Sequence, residues 1–461
     1  MPLLKKLKKI NIRWQMIAVA ASLLVPQAYA HTINKDPYPS TYSPESSQLI
    51  AITNATVLTG AGEQIDNASI LMNKGKIIGL GNNIQIPSNA KRIDGTGKWL
   101  TPGIIDAHSH LGLFSSPNHK SQKEGNEWTK PVTPEVWAEH SIWPQAPEFS
   151  RALEGGITTM LVLPGSANLF GGRGVTIKNV PSISREGMKF PNAPYSIKMA
   201  CGENPKRTYG NKGGPKTSMG NMAGYRKAWQ DAKAYQQKWQ NYEQALKAGK
   251  KATPPARNVA LDTLVGVLDN EILVHIHCYR ADEMNSMINL SKEFDYKITA
   301  FHHAVESYKI ANTLAKENIC SAMWADWWGF KMESFDAIDE NVPMVASQGA
   351  CAVVHSDSAA QVQKLNQEAA KAWADGNKVG LNISKAQAFS WLTLNAAKIL
   401  GIDKVTGSLE KGKNADVVLW SGDPFSSYSL TEQVYIDGNL MFDRKSNFNI
   451  IQSDFELGIN E

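Results

Sequence analysis

Leu100-Thr101-Pro102-Gly103-Ile104-Ile105-Asp106-Ala107-His108-Ser109-His110 is the stretch around which the chain is organised. In an extended strand successive side chains alternate faces, so Ile104, Asp106, His108 and His110 share one side, with both imidazoles at the C-terminal end. Neutral imidazole nitrogens suit zinc and related divalent ions. Two histidines spaced two apart on a strand reach one ion without backbone strain.

Outward from this stretch, apolar segments alternate with helical ones, the α/β pattern of a (β/α)8 barrel. Strands are expected over 103–110, 158–164, 196–201, 272–277, 297–303, 319–324 and 350–357, with a further one near 175–180. Helices fit 147–154, 307–316, 361–373 and 385–400. Active sites of such barrels lie at the C-terminal ends of the strands, which makes residues there the functional candidates. Segment 49–97 reads instead as short strands punctuated by Gly75, Gly81 and Gly95. The far end of the chain repeats this texture, with Asp437-Gly438 as a hairpin signal. The expected division is a signal peptide at 1–30, a small β-domain from 48–102 and 405–449, and a barrel at 103–404. Residues 206–256, rich in Lys, Gln, Tyr and Trp, read as a long polar helix pair inserted after the fourth strand. A lid, an oligomer contact and a solvated excursion are equally open for it.

The formal charge of +5 is explained at the N-terminus. Lys5, Lys6, Lys8, Lys9 and Arg13 precede an apolar run from Met16 to Val25, and Ala28-Tyr29-Ala30 supplies the small residues of a cleavage site. These five cations account for the whole excess, so a chain beginning at His31 is neutral and no nucleic-acid surface is indicated. The run is short of the ~20 residues that span a bilayer. A soluble periplasmic or secreted protein without stable membrane association is expected. Cys201, Cys278, Cys320 and Cys351 have scattered spacing and no CxxC, and each sits at or beside an expected strand end. That placement favours buried free thiols and no structural disulfide.

TPGIIDAHSH resembles the first-strand signature of the amidohydrolase superfamily. NAAKILGID, GSLEKGKNADVVLW and YIDGNLMF resemble the C-terminal part of its imidazolonepropionase-like branch, so the similarity covers nearly all of the chain after Leu49. The resemblance implies a TIM-type barrel whose two chain ends meet in one β-sandwich, and one or two divalent metal ions, zinc first. It assigns His108 and His110 as metal ligands. In Ile272-Leu273-Val274-His275-Ile276-His277 two histidines share a face. Similarity to a VxVHAHG pattern favours His275 as ligand, with His277 lining the pocket. FHHAVESY resembles LxHGTExY, which makes His303 a ligand and His302 a packed structural residue on the opposite face. Val354-His355-Ser356-Asp357 places Asp357 where the superfamily has an aspartate that binds metal and takes the proton from its water.

Lys198 stands inside the apolar strand Ser196-Ile197-Lys198-Met199-Ala200-Cys201, where a bare ammonium is costly unless paired or chemically altered. IKMACGEN resembles the IKVMATGG of the dipeptidase branch, which implies a carboxylated lysine bridging two metals. Glu203 is the rival bridge or a substrate contact.

The parts imply hydrolysis of a C–N bond in a small molecule, with the metal activating water and Asp357 as catalytic proton shuttle. Deaminases of this superfamily usually carry a glutamate three residues after the fifth-strand histidine. Here that position is Cys278 or Arg280, which disfavours deamination. For substrate binding, Arg173 closes the glycine-rich run Pro164 to Arg173, readable equally as an anion-binding loop or a plain turn. Trp324 to Phe330, including Trp328, is an expected aromatic wall, and Arg280, Tyr308 and Lys331 are polar candidates. Dipeptides and cyclic amides are the substrate classes. The chain is also compatible with a homo-oligomer. The competing class is a periplasmic binding protein that keeps the fold without turnover, against which the complete ligand set argues.

Overall fold

The computed structural model describes residues 35–114, 119–327 and 329–446. The expected signal peptide and Trp328 lie outside the described residues. The N-terminal strands are β1 (Ile50–Leu58), β2 (Gln64–Asn73), β3 (Lys76–Gly81), β4 (Lys91–Asp94) and β5 (Trp99–Pro102). The barrel strands are β6 (Ile104–Ser109), β7 (Ile157–Val162), β8 (Phe170–Lys178), β9 (Ser196–Ala200), β10 (Leu273–Cys278), β11 (Ala300–His303), β12 (Cys320–Met323) and β13 (Ala352–Val354). The chain returns to the first domain through β14 (Val417–Trp420), β15 (Thr431–Ile436) and β16 (Asn439–Asp443).

The two chain ends share one sheet, ordered β16-β15-β14-β5-β1-β2-β3 with β4 also on β1. The organising stretch divides between the domains. Leu100 to Pro102 pair with β14, and the chain then passes through Gly103 into β6. A side chain at Gly103 would meet Thr158 Oγ1 at 2.1 Å, so only glycine lets the linker lie against β7. A buried cation joins the domains on the other side. Lys178 of β8 lies 2.7 Å from Asp437 and 3.5 Å from Asp416.

The second sheet runs β6 to β13 in sequence order, a near-closed eight-stranded barrel. Its strands are buried almost throughout, as a sheet covered on both faces requires. One strand departs from the expected parallel pattern, since β8 is antiparallel to both β7 and β9. Only residues 163–169 separate β7 from β8, too few for the helical crossover that a parallel neighbour needs, so the chain turns back as a hairpin. The strand expected near 175–180 therefore begins at Phe170, and the second half of the supposed glycine-rich loop is strand.

Two further expectations are corrected. The insertion is no helix pair. After the short α2 (Glu203–Tyr209; α1 is Glu148–Glu154) it forms one 30-residue helix, α3 (Ser218–Lys247), before α4 (Val259–Leu268). Thr217 caps α3 by accepting from Gly220 N–H. Tyr225, Ala228, Trp229, Ala232 and Tyr235, at helical spacing, bury its inner face. The Tyr225 hydroxyl donates to the Ala200 carbonyl and Asn221 to that of Gly202, so α3 braces the flank of the barrel. The cysteines are not free thiols. Cys201–Cys278 joins the ends of β9 and β10, and Cys320–Cys351 joins the starts of β12 and β13. Scattered spacing carried no pairing signal because neighbouring barrel strands are separated by whole helices, yet their ends lie 5.2 and 4.5 Å apart in Cα position.

Candidate active site

Asp357 is the point of convergence. Its carboxylate lies 3.2 Å from His110 Nε2, 3.7 Å from His108 Nε2 and 3.9 Å from His303 Nδ1. Asp357 and His303 both have positive φ, 52° and 68°. At His303 this left-handed turn lets two consecutive histidines serve the interior of the barrel, His302 within it and His303 at its mouth. His110 donates from Nδ1 to the Leu163 carbonyl at 2.7 Å, which fixes the ring with Nε2 facing Asp357. Burial raises the Asp357 carboxyl, but the His110 hydrogen bond and the charges of His110, His355 and Lys198 outweigh it and hold the group below its ordinary value.

Lys198 is completely buried, with Nζ 3.0 Å from His108 Nε2 and 3.2 Å from the Pro164 carbonyl. Loss of hydration pushes its amine down to about 7. No carboxylate lies within ion-pair distance of it among the described residues. The buried nitrogens His303 Nδ1, His277 Nδ1 and His355 Nδ1 have no hydrogen-bond partner among the described residues. Nitrogen and carboxylate donors of His108, His303 and Asp357 lie within 4.8 Å of one another, as do those of His108, His302 and His355. Unpaired imidazole nitrogens around a carboxylate are the donor set a zinc-class ion takes, so the residues fit a divalent metal.

On β10 the two histidines occupy different depths. His277 is at the mouth, its ring 4.5 Å from that of His303 and its Nε2 3.3 Å from the Asn204 amide. His275 lies deeper, bound through Nδ1 to His302 Nε2 at 2.7 Å, and burial lowers it to about 3. Of the pair, His275, expected as ligand, is thus engaged with His302 below, and His277, expected as lining, stands beside His303. His302 does not face away either. It is in register with His277 and bonds His108 Nδ1 at 3.0 Å.

Other expected residues are scattered. Glu203 opens α2 beside the mouth, its N–H donating to Glu333 and its carboxylate 3.4 Å from Arg207. Arg173 is buried on the outer flank, 4.1 Å over the Trp137 ring, and lines a separate cavity of about 550 Å³ with Tyr195, Tyr235 and Trp239. Arg280 is half exposed and paired with Asp282, and the Tyr308 hydroxyl is committed to the Asp336 carbonyl. Neither joins the cluster. Lys331 does approach, with Nζ 3.8 Å from the centre of the Tyr279 ring, which in turn stacks on His303. The aromatic wall is realised by Trp324, stacked on His303 at 4.4 Å and donating from Nε1 to the Ser356 carbonyl.

Sequence reasoning missed Asn204, Arg207 and Tyr279. A cavity of about 370 Å³, lined by Asn126, Trp128, Ser166, Asn204, Arg207 and Lys212, adjoins His277 through Asn204. The only trace of it in the sequence is the polar Glu203-Asn204-Pro205-Lys206-Arg207 run directly after the Lys198 strand.

Residues 99–456 match the family model described as Amidohydrolase family. Amidohydrolase tasK of Hapsidospora irregularis is 29% identical over 396 residues, 81% of this chain, and the chain spans 40% of that protein's length. An imidazolonepropionase of Idiomarina loihiensis is 44% identical over 137 residues, 26% of this chain and 33% of that one. The crystal structure of an amidohydrolase from Thermotoga maritima MSB8 matches with a TM-score of 0.78 at 35% identity, covering 86% of this chain and 100% of that chain. With the histidine–aspartate cluster seated at the strand ends of such a barrel, the chain belongs to the amidohydrolase family of metal-dependent hydrolases.

Proposed function

We propose that this protein is an exported, zinc-dependent amidohydrolase that cleaves a C–N amide bond in a small carboxylate-bearing molecule, of dipeptide type. The observation that carries the reading is the convergence of His108, His110 and His303 on Asp357, with the buried Lys198 amine beside His108. His277 replaces His275 as the fifth-strand ligand, because its ring adjoins His303 whereas His275 is engaged below. A divalent ion held by these residues supplies Lewis-acid polarisation and lowers the pKa of water.

The side chains supply the rest. Asp357, held ionised by its neighbours, accepts the proton of the attacking water and delivers it to the leaving nitrogen. Lys198, with an amine brought near neutrality, adds carbon dioxide at Nζ with release of a proton. The resulting carbamate anion would offer oxygen donors to divalent ions held here and would remove the cost of a buried cation. Arg207 and Lys212, on the cavity beside His277, hold the substrate carboxylate. The alternatives to hydrolysis of an amide are weakened at the fifth strand. Cys278 is in a disulfide and Arg280 turns to Asp282, so neither position offers the acid–base group of a deaminase.

Export is supported by the basic and apolar N-terminal run, and two disulfides suit an oxidising compartment such as the periplasm. No helix among the described residues is long and apolar enough to cross a membrane. The partner is a small-molecule substrate, with no nucleic acid. The local likeness to an imidazolonepropionase keeps cyclic amides as the second substrate class.

The test is metal content and hydrolysis on the mature protein, for wild type and Lys198→Ala in parallel. About two zinc ions per chain falling to one or none in the variant, with turnover of dipeptides bearing a free carboxylate, is the expected result. Zinc binding without hydrolysis of any dipeptide or cyclic amide would instead support a binding protein.

A further inference from the structure

Below the Asp357 cluster, His108 is joined to two imidazoles, His302 and His275, that the proposed hydrolysis does not use. His108, His302 and His275 are completely buried. They form a chain, with His108 Nδ1 and His302 Nδ1 3.0 Å apart and His302 Nε2 and His275 Nδ1 2.7 Å apart. A neutral imidazole carries one N–H and one lone pair, so each contact needs one donor and one acceptor. Only two assignments satisfy both contacts, and they run in opposite directions.

The upper end of the chain decides between them. There Lys198 Nζ lies 3.2 Å from the Pro164 carbonyl and 3.0 Å from His108 Nε2; even the neutral amine has two N–H groups to place, one on each, so Nε2 accepts. His108 then carries its proton on Nδ1 and donates to His302 Nδ1. His302 in turn carries its proton on Nε2 and donates to His275 Nδ1. At the lower end the His275 proton falls on Nε2, which has no hydrogen-bond partner among the described residues, while the nearby Ile399 backbone favours the protonated form of this ring. The opposite direction would place N–H on His108 Nε2 against the amine and leave one N–H of Lys198 without an acceptor. His302 can occupy this place because His303, at the left-handed position, ends the strand and leaves its predecessor inside the barrel.

We propose that His302, backed by His275, is a positioning residue that holds His108 in the Nδ1–H tautomer and so presents the Nε2 lone pair of His108 to a divalent cation. This rests on the metal-dependent reading above. Hydrogen-bond partners of metal-bound histidines orient the ring and raise its basicity, and their loss costs about 10- to 100-fold in metal affinity.

The test compares His302→Leu with His302→Gln, whose amide can both accept from His108 and donate to His275. Zinc affinity is measured by competition with a chromophoric chelator, with thermal melting as the check on folding. The Leu variant should bind zinc about 10- to 100-fold more weakly, and the Gln variant should recover most of the loss. Long-range proton–nitrogen correlation on unsubstituted protein carrying ¹⁵N-histidine should show His108 protonated at Nδ1 and His302 and His275 at Nε2, with and without zinc. Undiminished zinc affinity in a folded His302→Leu protein, or a proton on His108 Nε2 in zinc-free protein, overturns the proposal. If both variants unfold, the tautomers of the unsubstituted protein decide it. If the unsubstituted protein binds no zinc, the functional reading fails, while the tautomers measured without metal still decide whether the chain holds His108 this way.

Discussion

Asp106 accepts from the backbone N–H of Ser356 at 3.1 Å and from its hydroxyl at 2.5 Å, tying the first barrel strand to the residue that precedes Asp357. The next N–H, that of Asp357, donates to the His108 carbonyl at 3.0 Å. These bonds bring the two ends of the barrel sheet together at the site itself. Asp106 is wholly buried, and its carboxyl is raised to about 6 by burial, against the Ser356 hydrogen bonds that lower it. Its work is to place Asp357.

Asp106→Ala is therefore expected to leave three buried donors without this acceptor, the Ser356 N–H and hydroxyl and the His108 N–H. The cost is about 1–3 kcal/mol for each that stays unpaired, and kcat should fall because Asp357 is free to shift. Asp106→Asn, which keeps one acceptor oxygen, should lie between. Denaturant unfolding together with steady-state kinetics checks this. Full activity in the Ala variant would show that Asp357 is held by other contacts.

Asp357→Asn removes the proton acceptor while keeping an oxygen in place. Turnover should fall by about 10²- to 10⁴-fold with zinc content largely retained. Elemental analysis beside single-turnover kinetics separates the two effects, and retained turnover would exclude Asp357 as the base.

Lys178→Ala strips the compensating cation from Asp437 and Asp416 at the junction of the domains, and should cost about 3 kcal/mol at pH 7. The Asp437 carboxyl is already raised, by burial first and by Asp416 next, against the lowering effect of Lys178. A raised carboxyl contributes stability that is fully present below its unfolded pKa of about 3.9 and is lost as pH rises through the folded value. Without Lys178 that folded value climbs further, so the variant should regain stability on acidification. Unfolding at neutral and acid pH decides the matter, and an equal deficit at both would remove Asp437 from the account.

The Cys201–Cys278 bridge ties the strand of Lys198 to that of His277. Thiol titration of the unfolded, unreduced protein should find no free cysteine. Cys201→Ser with Cys278→Ser should cost about 2–4 kcal/mol and lower kcat, because Cys278 follows His277 directly. Free thiols at all four positions would return the cysteines to simple core residues.

What the sequence by itself determined is the local part of this protein. The spacing of His108 and His110 marked the first barrel strand's end, the hydrophobic periods marked most of the barrel strands, and Asp357 stood out at the end of its own. Each of these depends on a period of two or on residues within a few positions of one another. The expected alternation nonetheless fails within the first strand, where register shifts turn Ile105 and Ala107 rather than Ile104 to the interior. Tertiary structure alone decided the rest. The reversed direction of β8 took Arg173 out of the site, and the left-handed turn at His303 kept His302 inside the barrel beside His108. Strand closure paired cysteines 77 residues apart and brought Asp106 to Ser356, 250 residues away. Depth within a barrel, and the hydrogen bonds that fix it, depend on which strands become neighbours. No side-chain period along one strand carries that information.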